Sequence, residues 1–115
     1  MLPDGNWPDM IQGLPEADIP FDGVRGWLLQ GTDHQLVFFD IAPIGEVPPH
    51  SHGAQWGIMV DGEMHLTIGG KTRHIKTGNS YFIPAGVEHG ATFVTRCRVI
   101  DFFEDVDRYQ AKARV

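Results

Sequence analysis

Turn-forming residues divide this chain into segments that are too short for a helical fold. The 115 residues include 14 Gly and 8 Pro. Asp61-Gly62 and Gly69-Gly70 separate apolar runs in the manner of tight hairpin turns. The run between them, Glu63 to Ile68, alternates apolar and polar side chains, as half-buried strands do. Many short strands with almost no helix predict an all-β sandwich or barrel.

The predicted strands are short and closely spaced. Most of the runs are rich in β-branched or aromatic residues, and Gly, Pro, Asn or Asp residues separate most of them. We predict strands over residues 24–30, 34–42, 46–52, 54–60, 63–68, 71–76, 80–83, 88–94 and 96–103. A chain of this length forms one domain, so the prediction is a single-domain β-barrel over residues 21–104.

Four prolines break the first twenty residues into short pieces. Such spacing permits one helical turn near residues 9–13 and nothing longer. We therefore predict residues 1–20 to be an extended N-terminal arm, and residues 105–115 to be a short tail or helix. The arm carries apolar side chains, such as Trp7 and Met10, that need cover, so we expect a homodimer.

The composition argues against several classes of partner. The net charge is -6 and the nine Lys and Arg residues are scattered, which does not fit nucleic-acid binding. The apolar run Leu36 to Phe39 is far too short to cross a membrane. The single cysteine, Cys97, has no intramolecular partner, so we expect a reduced cytoplasmic protein in which Cys97 is a buried strand residue.

Three histidines have the spacing of a metal site. In an extended strand His50 and His52 point to the same face, and His89 follows a strand end and a tight turn further along the chain. Imidazole is a good ligand for divalent first-row transition metals. Three protein ligands leave coordination positions open for water or substrate, as catalytic metal sites require.

These residues lie in two motifs that together resemble the cupin family. The motifs are Gly45-x4-His50-x-His52-x2-Gln55-x6-Gly62 and Gly78-x5-Pro84-x-Gly86-x2-His89. The resemblance covers roughly residues 34–104. It implies a small jelly-roll β-barrel, usually a homodimer, with one metal ion inside one end held by His50, His52 and His89.

The fourth position of the first motif differs from the family pattern. The family has a glutamate ligand there, and the nearest residue in this chain is Gln55. Gln55 lies an odd number of residues after His52, so a regular strand would turn it away. A bulge at Gly53-Ala54 would bring it back to the histidine face. Without a bulge, Trp56 would face inward, the metal would have three protein ligands, and Gln55 would be an ordinary strand residue.

The histidines and the resemblance together predict a metal-binding cupin, with one iron, nickel, zinc, manganese or copper ion per chain. A neutral ligand set leaves the metal charge uncompensated, so we expect a small anionic, metal-chelating substrate. Oxygenation, isomerisation and decarboxylation all fit, and fold alone does not choose among them. A non-catalytic small-molecule binding or sensor protein is the alternative, and a structural barrel without metal is a third reading.

Several further side chains receive specific expectations. Tyr81 is the candidate for proton transfer, although a core aromatic residue is the simpler reading. Asp101 lies in an otherwise apolar strand, where a buried acid is one alternative, and the safer expectation is that it faces outward. Phe93 replaces a polar family residue and makes the cavity more apolar. The remaining histidines are expected at the surface. Five large apolar residues are expected in the core or in the lining of a pocket: Trp27, Phe38, Trp56, Met59 and Phe102.

Overall fold

The computed structural model describes residues 2–113, in which nine strands form nearly all of the regular structure. The strands are β1 (Val24–Gln30), β2 (Gln35–Ile41), β3 (Gly45–His50), β4 (Gln55–Asp61), β5 (Glu63–Ile68), β6 (Lys71–Lys76), β7 (Ser80–Ile83), β8 (His89–Phe93) and β9 (Cys97–Phe103). Each observed strand lies within two residues of its predicted bounds, and four coincide with them. The turn signals therefore located the strands correctly.

The strands form two antiparallel sheets, which confirms the predicted jelly-roll barrel. One sheet has the order β1-β2-β9-β4-β7 and the other has the order β3-β8-β5-β6. Apolar side chains from both inner faces fill the space between them, including Val37, Phe39, Met59, Met64, Leu66, Ile75, Ile83, Val99 and Phe103. Since β3 and β4 belong to different sheets, the chain crosses from one sheet to the other between His50 and Gln55.

One tight turn shows why glycine is needed at particular positions. Gly69 and Gly70, between β5 and β6, have φ angles of 55° and 82°. These left-handed conformations are those of a two-residue hairpin turn, which residues other than Gly, Asn and Asp rarely adopt.

The Cys97 thiol lies at the start of β9 and is fully buried, as predicted.

Helical structure within residues 2–113 is confined to the N-terminal segment. It consists of a 3-10 turn (Pro3–Gly5) and helix α1 (Asp9–Gln12). No helix in this part of the chain is long and apolar enough to span a membrane. Residues 105–113 form turns and a single bridge rather than a helix.

The N-terminal residues lie against the barrel of the same chain. The Trp7 indole donates a hydrogen bond of 3.0 Å to the Phe39 carbonyl, and its ring meets the edge of Phe38 with centroids 5.3 Å apart. Ala17 bridges to Ala111 near the C-terminus. Trp7 is thus buried without a partner subunit, whereas Met10 remains 80% exposed.

Candidate metal centre

The three predicted histidines converge at one end of the barrel. His50 ends β3 and His89 begins β8, and the two are directly paired across the sheet. His52 lies in the connection that leaves this sheet. The ring centroids are 4.4 Å apart for His50 and His89 and 4.7 Å apart for His52 and His89. One ligand atom from each ring lies within 4.8 Å of the others, which is a spacing that one metal ion can bridge.

Backbone carbonyls orient all three imidazole rings. The Nδ1 atom of His50 lies 3.0 Å from the Pro48 carbonyl, that of His52 lies 2.8 Å from the Gly53 carbonyl, and that of His89 lies 3.0 Å from the Val87 carbonyl. A carbonyl only accepts hydrogen bonds, so each Nδ1 carries the proton. In the neutral ring the Nε2 lone pair is then free, which is the arrangement of a metal-ligating histidine.

The protein environment also favours neutral rings at two of the three positions. Burial lowers the pKa of His52 and of His89 below the ordinary value of 6.5, and the neighbouring Arg108 guanidinium lowers both further. A neutral imidazole is the form that binds a metal ion.

Acidic residues after β9 hold the connection that carries His52. The Gly53 amide donates a 2.8 Å hydrogen bond to the Asp105 carboxylate, and the Ala54 amide donates one of 2.8 Å to Glu104. On the other side, the Gly86 amide donates to the His52 carbonyl at 2.8 Å. These bonds fix the backbone on both sides of the imidazole.

Gln55 faces the cavity and Trp56 faces outward, with 9% and 43% of their surfaces exposed. The inward direction of Gln55 does not come from a bulge within one strand. Residues 51–54 belong to no strand, because the chain changes sheets there. The alternation of side chains therefore restarts at β4, and counting residues from His52 does not apply. Gln55 as a fourth metal ligand stays a prediction.

Asp101 is buried in the cavity, so the expectation that it faces outward is wrong. Only 4% of its surface is exposed. Val99 and Phe103, two residues before and after it on β9, also point inward. This period of two was the signal available in the sequence. Burial raises the pKa of Asp101 to about 6, although hydrogen bonding from Tyr81 and Gln55 acts in the opposite direction.

Tyr81 is the partner of this buried acid. Its hydroxyl donates a 2.6 Å hydrogen bond to Asp101 Oδ1. Burial raises the pKa of Tyr81 well above its ordinary value of 10, and the adjacent Asp101 charge adds to the effect. Tyr81 therefore keeps its proton near neutral pH.

A cavity of about 480 Å³ joins these groups to the histidines. Its walls are largely apolar and include Phe93 as predicted, together with Ile41, Val47, Met64, Leu66 and Ile83. None of the five large apolar residues considered for the core or this lining is in the cavity wall. Met59 is in the core, as expected. The four aromatic residues lie on the outer face of the five-stranded sheet, where Trp56 and Phe102 are exposed. The cavity is large enough for a small organic molecule.

Arg108 lines the same cavity and was not foreseen. Its guanidinium stacks over the Tyr109 ring at 4.5 Å, and its buried Nε has no hydrogen-bond partner among the described residues. Buried Gln35 positions this segment, since its side chain accepts a bond from the Tyr109 amide and donates one to the Tyr109 carbonyl. Nothing in the local sequence around Arg108 signals a cavity residue.

The other three histidines lie at the surface, as predicted. His34, His65 and His74 are exposed. The rings of His65 and His74 stack across β5 and β6 with centroids 4.7 Å apart, and His74 lies 2.8 Å from Glu63.

Comparisons with known proteins agree with this geometry. The chain matches the model of the Cupin domain over residues 37–103. It is 34% identical over 92 residues to H2HPP isomerase of Bacillus subtilis, a match that covers 78% of this chain and 38% of that protein. An RmlC-like cupin from Shewanella frigidimarina aligns with a TM-score of 0.71 and 28% identity over 80% of this chain and 84% of that one.

KdgF from Halomonas sp. aligns with a TM-score of 0.68 and 23% identity, over 76% of this chain and 83% of that chain. At this identity the likeness shows the fold alone. The chain also spans well under half the length of the Bacillus isomerase.

Proposed function

This chain belongs to the cupin family, and from that premise we propose that it is a small metal-dependent isomerase acting on a carboxylate substrate. The observation that carries the proposal is the cluster of three histidines with ligand atoms within 4.8 Å of one another, beside a buried acid in the same cavity. We keep the homodimer and the cytoplasmic location as expectations.

The side chains present fit one divalent transition-metal ion. His50, His52 and His89 would hold it through Nε2, with the Gln55 amide oxygen as a fourth ligand. This nitrogen-rich set suits iron, nickel, zinc or copper and is also compatible with manganese. A bound ion supplies Lewis acidity toward a carbonyl oxygen of the substrate.

Positive charge in the cavity favours an anionic substrate. The histidine and glutamine ligands are neutral, so they do not compensate a divalent ion. Arg108 adds a further positive charge, with a buried Nε that no described side chain satisfies. A guanidinium is the side chain best shaped to pair with a carboxylate. A substrate carboxylate would compensate the charge of the metal ion and would also pair with the Arg108 guanidinium.

Asp101 is the group that would transfer the proton in this proposal. In its ionised form it accepts a proton from a carbon atom next to the substrate carbonyl, and it returns that proton at another carbon of the same molecule. The bonding electrons shift within the substrate, so no oxidant or reductant is needed. Tyr81 holds the carboxylate in place through its hydrogen bond. A pKa near the working pH is what such an acid–base group requires.

Isomerisation is preferred over oxygenation and decarboxylation for two reasons. The buried acid and its tyrosine partner provide proton transfer, which isomerisation needs. The Bacillus relative bears the name of an isomerase. The alternative of a non-catalytic binding or sensor protein shares the metal and the cavity and differs only in turnover.

The test combines metal analysis with proton exchange. Purified protein is loaded with each candidate metal, and its content is measured by elemental analysis. Small 2-oxo carboxylates are then incubated with it in D2O, and loss of the proton signals next to the carbonyl is followed by NMR. We expect exchange with the native protein, about 100-fold slower exchange with Asp101→Asn, and none with His89→Ala, which should also lose its metal.

His65→Ala is the matched control, because His65 is exposed on the outer side of β5. It should keep both metal and exchange. Full metal occupancy in His89→Ala would overturn the site assignment. Metal and carboxylate binding without exchange by the native protein would leave a binding protein, and oxygen uptake or CO2 release instead of exchange would replace isomerisation by the corresponding reaction.

A further inference from the structure

Glycine at position 53 makes room for a carboxylate from a distant part of the chain. Residues 51–54 belong to no strand, so a bulge does not explain the glycine. A Cβ atom at Gly53 would lie 2.5 Å from Oδ1 and 2.9 Å from Oδ2 of Asp105. The Asp105 side chain therefore rests directly on the backbone of Gly53, and any larger residue there would push it away.

The two peptide groups that flank Gly53 are each held by two contacts. The group before Gly53 donates through its amide to Asp105 at 2.8 Å and accepts through its carbonyl from the Gly86 amide at 2.8 Å. The group after it donates to Glu104 at 2.8 Å, and its carbonyl lies 2.8 Å from Nδ1 of His52. Because a peptide group is planar, these four contacts fix the two planes that carry and orient the imidazole.

Asp105 thereby acts on the His52 ring through the backbone. If the carboxylate is removed, the Gly53 amide loses its acceptor and its peptide group is free to rotate. The carbonyl of the next peptide group then no longer holds the ring in one orientation. Partners that orient a metal-ligating histidine typically contribute a factor of about 10 to 100 to metal affinity.

The same segment carries Arg108 to the cavity. Arg108 follows Asp105 by three positions and lines the cavity that the histidines border. The next residue, Tyr109, is bonded through its amide and its carbonyl to the fully buried Gln35. Residues 104–109 are therefore attached to the His52 connection at one end and to the barrel interior at the other.

We propose that Asp105 is a positioning residue for the metal ion: its bond to Gly53 orients the His52 ring, and residues 104–109 hold this ring and Arg108 in a fixed relation. This inference rests on the metal site of the proposed function and not on isomerisation. Loss of the Asp105 carboxylate weakens binding of the ion and, in the metal-loaded protein, binding of a carboxylate.

The first test measures the Kd of Zn2+ by competition with a chromophoric chelator. We expect Asp105→Ala to raise this Kd about 10- to 100-fold. Asp105→Asn keeps an oxygen that can accept the bond from the Gly53 amide, so it should change the Kd by less than about 3-fold. Asp107→Ala is the matched control, because it removes the same charge from an exposed position in the same segment, and it should leave the Kd unchanged.

Two outcomes of this comparison overturn the proposal. One is an Asp105→Ala protein that binds Zn2+ as tightly as the native protein. The other is an Asp105→Asn protein weakened as much as Asp105→Ala, which would mean that the charge of the carboxylate acts and not its hydrogen bond.

Gly53→Ala breaks the same contact from the other side. It should raise the Kd of Zn2+ at least about 10-fold. Combining it with Asp105→Ala should add less than about 3-fold, because both changes remove one interaction. Fully multiplicative effects would show that the two residues act separately and would overturn the proposal. Circular dichroism shows whether each variant is folded, and the two Asp105 variants decide the matter if Gly53→Ala is not.

Two further readouts follow the arrangement of the site and not the stability of the fold. In Co2+-loaded protein, Asp105→Ala should shift the visible absorption of the ion, which depends on the placement of its ligands, and Asp107→Ala should not. The Kd of malonate for Zn2+-saturated protein should rise several-fold in Asp105→Ala alone. An Asp105→Ala protein with the native spectrum and the native malonate Kd overturns the proposal.

The same measurements separate this inference from the proposed function. A native protein that binds no Zn2+ would overturn both together. A native protein that binds Zn2+ and catalyses no isomerisation would still support the role of Asp105, provided that the Asp105 variants behave as expected.

Discussion

The Tyr81 hydroxyl and the Asp101 carboxylate meet at 2.6 Å across the backbone of Gly57. Gly57 on β4 pairs with Tyr81 on β7 and with Asp101 on β9. The two side chains thus reach over the central residue from both neighbouring strands. The absence of a side chain at position 57 is what lets them touch.

Replacing Gly57 with alanine should separate this pair. A Cβ at position 57 would lie 2.1 Å from Asp101 Oδ1 and 2.3 Å from the Tyr81 hydroxyl. We expect Gly57→Ala to lower the free energy of unfolding by about 2–3 kcal/mol, as overpacking of a tight site does, and to reduce activity. Urea denaturation measures the first effect.

The control for this change is Gly13→Ala. A Cβ there would make only an ordinary contact, 3.4 Å from the Asp9 carbonyl, so the free energy of unfolding should change by less than about 0.5 kcal/mol. Equal stability of the two variants would show that the pair can rearrange freely.

Asp101→Asn should stabilise the fold at high pH and not at low pH. Burial raises the pKa of Asp101 from 3.8 to about 6, so between these values the folded chain holds a proton that the unfolded chain has released. The free energy of unfolding therefore falls as the pH rises from about 4 to about 6. Above it the buried charge costs about 2–3 kcal/mol, and below pH 4 it costs nothing.

Denaturant titrations of the native protein and Asp101→Asn at about pH 8 and about pH 3.5 measure this difference. A stabilisation of the same size at both values would mean that burial of the charge is not its source.

Tyr81→Phe should move the acid limb of the activity profile to higher pH. The hydroxyl lowers the pKa of Asp101 by hydrogen bonding to it. Without that bond the carboxylate takes up its proton at a higher pH, and the expected displacement is about one pH unit for one charge-assisted bond. The pH dependence of kcat/KM in metal-loaded protein gives the measurement. An unmoved limb accompanied by a uniform loss of rate would indicate that another group controls the profile.

Arg108→Met should weaken carboxylate binding and leave the metal in place. Loss of a charge-assisted hydrogen bond costs about 1.5–3 kcal/mol, so the Kd for a small dicarboxylate such as malonate should rise about 10- to 100-fold. Calorimetry on metal-loaded protein measures it.

Arg73→Met, at an exposed position on β6, is the matched control for loss of one positive charge. Equal weakening by both variants would point to the overall charge of the protein rather than to the cavity.

Features that depend on local pattern could be predicted from the sequence. Hairpin turns such as Gly69-Gly70 and the alternation of Glu63 to Ile68 depend on neighbouring residues only, and these strands appear where expected. The histidine cluster could also be predicted, because His50 and His89 lie at strand ends next to recognisable turns.

The features that could not be predicted from the sequence depend on contacts between distant segments. The direction of Gln55 follows from a change of sheet that no residue count along the chain records. Arg108 reaches the cavity because Gln35, more than seventy positions earlier, holds the following residue. The outward direction predicted for Asp101 is wrong because the polarity of a carboxylate favours exposure, whereas the positions of Val99 and Phe103 on the same strand indicate the inner face.

The alternation along β9 assigns successive side chains to opposite sides of the sheet. Asp101 and Phe103 line the cavity, and Phe102 between them lies on the outer face of the sheet. A single-residue deletion upstream in this strand would exchange the two sides, so that a benzyl group would enter the cavity and the carboxylate would leave it. Substitutions in β9 can therefore alter one surface at a time, whereas any change in its length alters both surfaces together.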